Sequence, residues 1–175
     1  MILPIVAYGS DVLRKECVEI DNSYSNLDQL IDNMFETMNA ASGVGLAAPQ
    51  INKSIRLFII DTTPFNDEEN PDHVICKKVF INPKIISKSG DSWSFSEGCL
   101  SIPEVREDVK RLSEITIEYF DKDFNKHTET FDILNARVIL HEYDHIEGVL
   151  FIDKISTLRK RMIKGKLKNI SNGVM

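Results

Sequence analysis

Residues 133–148 read ILNARVILHEYDHIEG, and the spacing of that stretch decides how the chain is built. Leu134, Val138, His141 and His145 recur at steps of three and four, so they line one stripe of a helix. Gly148 suits its exit. Residues four apart project from the same face, so His141 and His145 can each aim an imidazole nitrogen at one ion. Glu142 reaches the rim of such a site without ligating, where it can accept a proton from water. The competing reading is a chance pair of core or surface histidines. Two imidazoles buried on an apolar stripe without a partner would be unfavourable, which favours the metal.

A catalytic site normally adds a third protein ligand and keeps a position open. His73 and His127 lie upstream, in an expected loop and hairpin turn, and Glu147 and Asp153 sit too close along the helix axis or past Gly148. Cys99 is the better candidate: in EGCLSIP, residues 97–103, it follows a glycine and precedes a proline-limited stretch where backbone can approach a ligand closely. A metal thiolate would contribute negative charge. A free buried thiol is the alternative. Cys17 and Cys76 lack such a frame, and three scattered cysteines without a secretory signal argue against a disulfide framework.

Working outward, Leu27, Leu30, Ile31, Met34, Phe35 and Met38 line one face of a helix over 25–41, with Ser25 and Asp28 as a capping signal and Gly43 as its stop. Strands are expected at 55–60, 79–81 and 115–119, the last returning through a turn at 121–126 to a partner at 128–131. Residues 62–72 read as a surface loop, and a further helix starts at Ser156, with Leu158, Met162 and Leu167 among cations and Gly165 weakening it. Strands and helices without βαβ alternation predict an α+β fold with mixed or antiparallel sheets around the 133–148 helix.

The segment GVGLAAPQ, residues 43–50, has the glycines of a phosphate loop but neither its Lys-Ser/Thr pair nor a preceding strand. It suits close approach of an extended substrate, which would add as a strand to its main chain.

At 175 residues and 42% hydrophobic content, one domain can bury a full core. We expect a catalytic domain over 1–153 and a basic helix or tail over 154–175 appended to it. The net charge of −6 is segregated, because 154–175 holds seven Lys or Arg and no acidic residue. Such a helix can recognise a polyanion such as RNA or be a solvated face. The apolar start, Met1 to Val6, is too short for a leader and no run suffices for a membrane helix, so a cytoplasmic protein without membrane or DNA partners is expected.

Together, GVGLAAPQ at 43–50, EGCLS at 97–101 and HEYDH at 141–145 resemble the peptide deformylase family, whose three motifs occur here intact and in order. The likeness runs from about Ser10 to Lys154. The resemblance implies a deformylase-like fold and a hydrolase of linear amide bonds that removes the N-formyl group from the initiator N-formylmethionine of nascent chains, releasing formate. By the same likeness Cys99, His141 and His145 bind the metal, and Glu142 is general base and then acid. Gln50 and the Leu100 backbone N–H receive the oxyanion. Gly43, Val44 and Gly45 line the substrate strand, and Arg106 meets the far end of the peptide. Ligand preference reads as zinc, whereas the family implies Fe2+, with Zn2+, Ni2+ or Co2+ as substitutes. The family also implies contact of the C-terminal helix with ribosomal RNA near the exit tunnel. Glu97 is expected to pair with Arg111 or Arg106, or to form a plain surface salt bridge, and Asp144 to cap or pair locally. Leu140 and Tyr143 replace the family's usual glutamine and methionine, leaving pocket shape open. The alternatives are a zinc endopeptidase and a non-catalytic metal-stabilised binding module.

Overall fold

The five residues Leu57–Asp61 (β2) are apolar on both sides, and the computed structural model, which describes residues 1–174, shows why. Side chains alternate across a strand. Phe58 and Ile60 pack toward helix Ile133–Ile146 (α2), whereas Leu57 and Ile59 pack toward helix Leu27–Ala40 (α1). A strand sandwiched in this way reads as a continuous apolar run.

Beside β2 lie Gly45–Ala47 (β1) and Lys77–Cys99 (β3), followed by Ile102–Phe120 (β4) and Lys126–Asp132 (β5). The five strands form one antiparallel sheet in chain order, the antiparallel form of the expected α+β fold. The hairpin of β3 and β4 exceeds the expected strands at 79–81 and 115–119 by a wide margin. Residues 86–92 of β3 are exposed on both faces, and on β4 the buried alternation over 105–111 includes the charged Glu107 and Arg111, so no apolar period marks either stretch. Only Leu100 and Ser101 separate the two strands, which puts Cys99 at the turn.

Three apolar clusters hold the fold. One joins α2 to the sheet through Phe58, Phe80, Ile117 and Ile139, with Phe58 and Phe80 stacked at 4.8 Å. A second lies under α1. The third seats helix Thr157–Ser171 (α3) on β4 through Ile163 and Ile170, against Val105 and Val109. Leu158 and Met162 are exposed, so the face that docks is set by Ile163, Leu167 and Ile170. Gly165 faces open space.

Helix ends differ in detail from expectation. The first helix starts at Leu27, after Asn26 in left-handed backbone, and no side chain caps it, so Ser25 and Asp28 make no capping bond. Its exit uses Ser42 in the left-handed position (φ 55), with Gly43 N–H donating to Met38 O at 2.9 Å. By contrast, α2 stops as expected. Gly148 (φ 73) follows it, and Val149 N–H donates to Asp144 O at 2.9 Å. A Cβ on Gly148 would lie 2.7 Å from the Arg14 carbonyl oxygen. Gly148→Ala is therefore expected to lower stability by about 1–3 kcal/mol, through left-handed strain plus backbone overlap. Urea unfolding checks this as a lower midpoint at unchanged slope.

Candidate active site

The last two turns of α2 and the last residue of β3 bring the predicted ligands together. The donor atoms of Cys99, His141 and His145 all lie within 4.8 Å of one another, and Cys99 Sγ is 3.3 Å from His145 Nε2. Among the described residues this is the only such group of three, and no fourth His, Cys, Asp or Glu joins it. Glu147 pairs instead with Arg56 and Asp153 with Arg14. His73 meets Thr62, and His127 meets Asp121.

The set fits a divalent ion. His141 Nδ1 is 2.8 Å from Glu97 Oε1, which favours the proton on Nδ1 and leaves the Nε2 lone pair for a metal. A soft thiolate with two imidazoles suits zinc, iron or cobalt. In the bare protein, burial opposes charge on His141, but its hydrogen bonds to Cys99 and Glu97 outweigh that and raise its pKa well above the usual value. Burial and the charge of His141 push His145 well below it.

Glu97 is a buried hub rather than half of a surface pair. It receives Arg111 Nε at 2.8 Å and Nη2 at 2.9 Å, Arg137 Nη1 at 2.9 Å, and His141. Burial alone would raise its pKa, yet the bonds from His141 and Arg111 hold it well below the usual carboxylate range. Of the two expected partners, Arg111 is the one found. Arg106 donates to Ser96 O at 2.7 Å. Asp144 does not pair locally: it meets Arg111 Nη1 at 2.7 Å, 33 residues away in sequence.

The Glu142 carboxyl is buried, and its Oε2 has no partner among the described residues. Burial pushes its pKa up to about 7 against the charge of His141. Gly45 lies directly against it, since a Cβ there would fall 2.7 Å from Glu142 Cδ.

A single 3-10 turn, Ala48–Ile51, aims Gln50 at the same place. Its Oε1 accepts from Ala47 N–H at 2.9 Å. Its Nε2 donates to Ser101 Oγ at 3.2 Å and to Cys99 Sγ at 3.5 Å. Gln50, Cys99, Leu100, His141 and Glu142 line one cleft of about 720 Å³, together with Gly43, Val44, Gly45 and Arg106. His145 sits behind it. Phe65, from the expected surface loop, also lines the cleft and meets Phe95 edge-on at 6.3 Å between centroids.

Sequence reading missed Arg137 and Ser101, both buried polar residues at the site. Arg137 lies four residues before His141, so its place on the ligand face of α2 was readable.

Comparison with known proteins agrees with this geometry. The family model for polypeptide deformylase matches residues 2–161. A peptide deformylase of Christiangramia forsetii is 59% identical, over 99% of this chain and 91% of its own. The crystal structure of a Plasmodium falciparum peptide deformylase superposes with a TM-score of 0.86 at 34% identity, covering 97% of this chain and 95% of that one. That of Thermus thermophilus gives 0.87 at 31%, covering 99% and 100%. Three ordered motifs, one converged donor set and matches along nearly the whole chain carry one conclusion: the chain belongs to the polypeptide deformylase family.

Proposed function

We propose that Cys99, His141 and His145 hold the metal with which this enzyme removes the N-formyl group from the initiator methionine of nascent polypeptides. The observation that carries this is the convergence of one sulphur and two imidazole nitrogens beside a buried, unpartnered carboxyl in a peptide-sized cleft. A divalent ion bound there supplies Lewis acidity, polarising the formyl carbonyl and lowering the pKa of water. We assign Fe2+ in the cell, with Zn2+, Ni2+ or Co2+ as substitutes. The mixed donor set accepts any of these, and iron follows from the family likeness.

Water adds to the formyl carbon while Glu142 takes its proton. The C–N bond then breaks as Glu142 returns that proton to the leaving amine, giving formate and a free N-terminus. A carboxyl held near neutrality serves both directions of transfer. Gln50 Nε2 and the Leu100 N–H donate to the developing oxyanion. Gln50 Nε2 already donates to Cys99 Sγ at 3.5 Å, so its N–H points toward the donor set where the oxyanion would form.

The substrate lies extended along Gly43, Val44 and Gly45. Because β1 ends the sheet, a peptide can add to it as a further strand. Arg106 meets the peptide farther along the cleft. Family membership tells against a zinc endopeptidase, and the open cleft beside three ligands tells against a closed structural site.

Residues 1–153 form the catalytic domain in this reading, and 154–175 a basic helix or tail appended to it, of which Thr157–Ser171 is helical. We assign the exposed cations of that helix to ribosomal RNA near the exit tunnel, and the enzyme to the cytoplasm. No helix among the described residues is long and apolar enough to cross a membrane.

Anaerobic purification followed by metal analysis and formate release from formyl-Met-Ala-Ser tests the assignment, with one iron per chain expected. Glu142→Gln is expected to keep the metal and lose roughly 10²-fold or more in kcat. Full activity in a folded, metal-loaded variant would remove the role given to Glu142. Reversing Arg161, Lys164 and Lys168 to Glu, all exposed, leaves the docking face of α3 intact. Cosedimentation with ribosomes should then be lost at low salt while formate release persists.

A further inference from the structure

Arg137 and His141 stand one turn apart on α2 and grip the same carboxylate from the same side. His141 Nδ1 is 2.8 Å from Glu97 Oε1, and Arg137 Nη1 donates to Glu97 Oε2 at 2.9 Å. Glu97 is two residues from Cys99 on β3. The carboxylate is thus clamped between successive turns of the helix that carries two donors, on the strand that carries the third.

Arg137 reaches further than this one bond. Its Nη1 also donates to Val109 O on β4 at 2.8 Å, and its Nη2 to Trp93 O on β3 at 2.8 Å. The guanidinium lies over the Trp93 ring at 4.5 Å and near Phe95 at 5.8 Å. One side chain therefore joins α2, β3 and β4 around Glu97. Arg111 supplies two N–H bonds to Glu97 from β4 and reaches α2 at Asp144, after His141; Arg137 alone ties the carboxylate to the turn of α2 before His141.

We propose that Arg137 is a positioning residue for deformylation, locking the rotation and height of α2 against β3 so that the nitrogens of His141 and His145 meet the sulphur of Cys99. The proposal rests on reading those three residues as the metal ligands. Without Arg137 the Glu97 carboxylate keeps Arg111 and His141, and Arg111 still holds Asp144, but the turn of α2 before His141 loses its polar ties to β3 and β4. The donor set then loosens without losing a ligand.

The test uses full-length Arg137→Met and Arg137→Lys, loaded with Co2+ so that the visible d–d spectrum reports ligand geometry. Groups that orient metal ligands are typically worth about 10–100-fold in affinity or activity. We expect Arg137→Met to show an altered cobalt spectrum, cobalt loss to a chelator at least about tenfold easier, and kcat lowered by a similar factor. KM on formyl-Met-Ala-Ser should move less than kcat. Arg137→Lys keeps a cation but cannot span Glu97, Val109 O and Trp93 O together, so it should fall between Met and wild type. If Arg137→Met does not fold, Arg137→Lys decides, with at least about threefold easier cobalt loss expected. A folded variant with wild-type spectrum, retention and kcat would overturn the proposal. Failure of the ligand reading looks different: wild type and His141→Ala would then bind cobalt alike.

Discussion

A charged carboxylate survives in the interior of this protein only because its surroundings replace water completely. Glu97 is 4% exposed. An isolated ion at that depth would neutralise rather than remain charged. Here three N–H groups from two guanidinium ions and the ring of His141 surround it, and Arg111 is balanced in turn by Asp144, which Lys154 approaches at 3.5 Å. Removing one partner from such a buried network leaves an uncompensated charge and costs about 3–5 kcal/mol. Each partner in the network therefore bears on the placement of the others. Since its members sit on β3, β4 and α2, the geometry of the donor set is inherited from it.

The two histidines of the donor set were legible because their signal is local. His141 and His145 follow from helical spacing, α1 from its apolar stripe, and the exit of α2 from Gly148. Cys99 was legible only as a candidate beside a free buried thiol, until the resemblance to a known family singled it out. The choice between Arg111 and Arg106 was not legible, and the reason is a bulge. Cys99 pairs with Ile102, but Gly98 pairs with Arg106, with Glu104 in left-handed backbone between them. Had pairing continued regularly from Cys99 and Ile102, Arg106 would stand opposite Phe95, on the face of Glu97. The bulge reverses that parity. Arg111 now stands opposite Trp93 and turns inward, while Arg106 stands opposite Gly98 on the other face. No periodicity in the sequence marks a three-residue slip.

The docked face of α3 was obscured for a related reason. Leu158 and Met162 are as apolar as Ile163 and Ile170, and composition cannot say which of two apolar sets faces the body. Packing of Ile163, Leu167 and Ile170 sets the rotation of the helix, and the pairing of Arg159 with Glu107, at 2.8 and 2.9 Å, joins it to β4 with the first set outward. That pairing joins residues 52 apart in sequence.

Two buried glutamates at the candidate site, Glu97 on β3 and Glu142 on α2, are set apart by their surroundings. Glu97 and Glu142 are equally hidden, yet their proton affinities move in opposite directions. What separates them is the supply of donors. Glu97 is saturated, so its charge is stable and it can only anchor. Glu142 has an oxygen with no donor among the described residues and a glycine backbone against its carboxyl, so burial dominates and the pKa rises to about 7. A larger residue at position 45 would take the space into which that carboxyl projects. In the function proposed above, the glycine in the 43–50 motif would serve proton transfer by Glu142 as much as the substrate strand. Pairs of carboxyls driven apart in this way are how one fold sorts an anchor from an acid-base group.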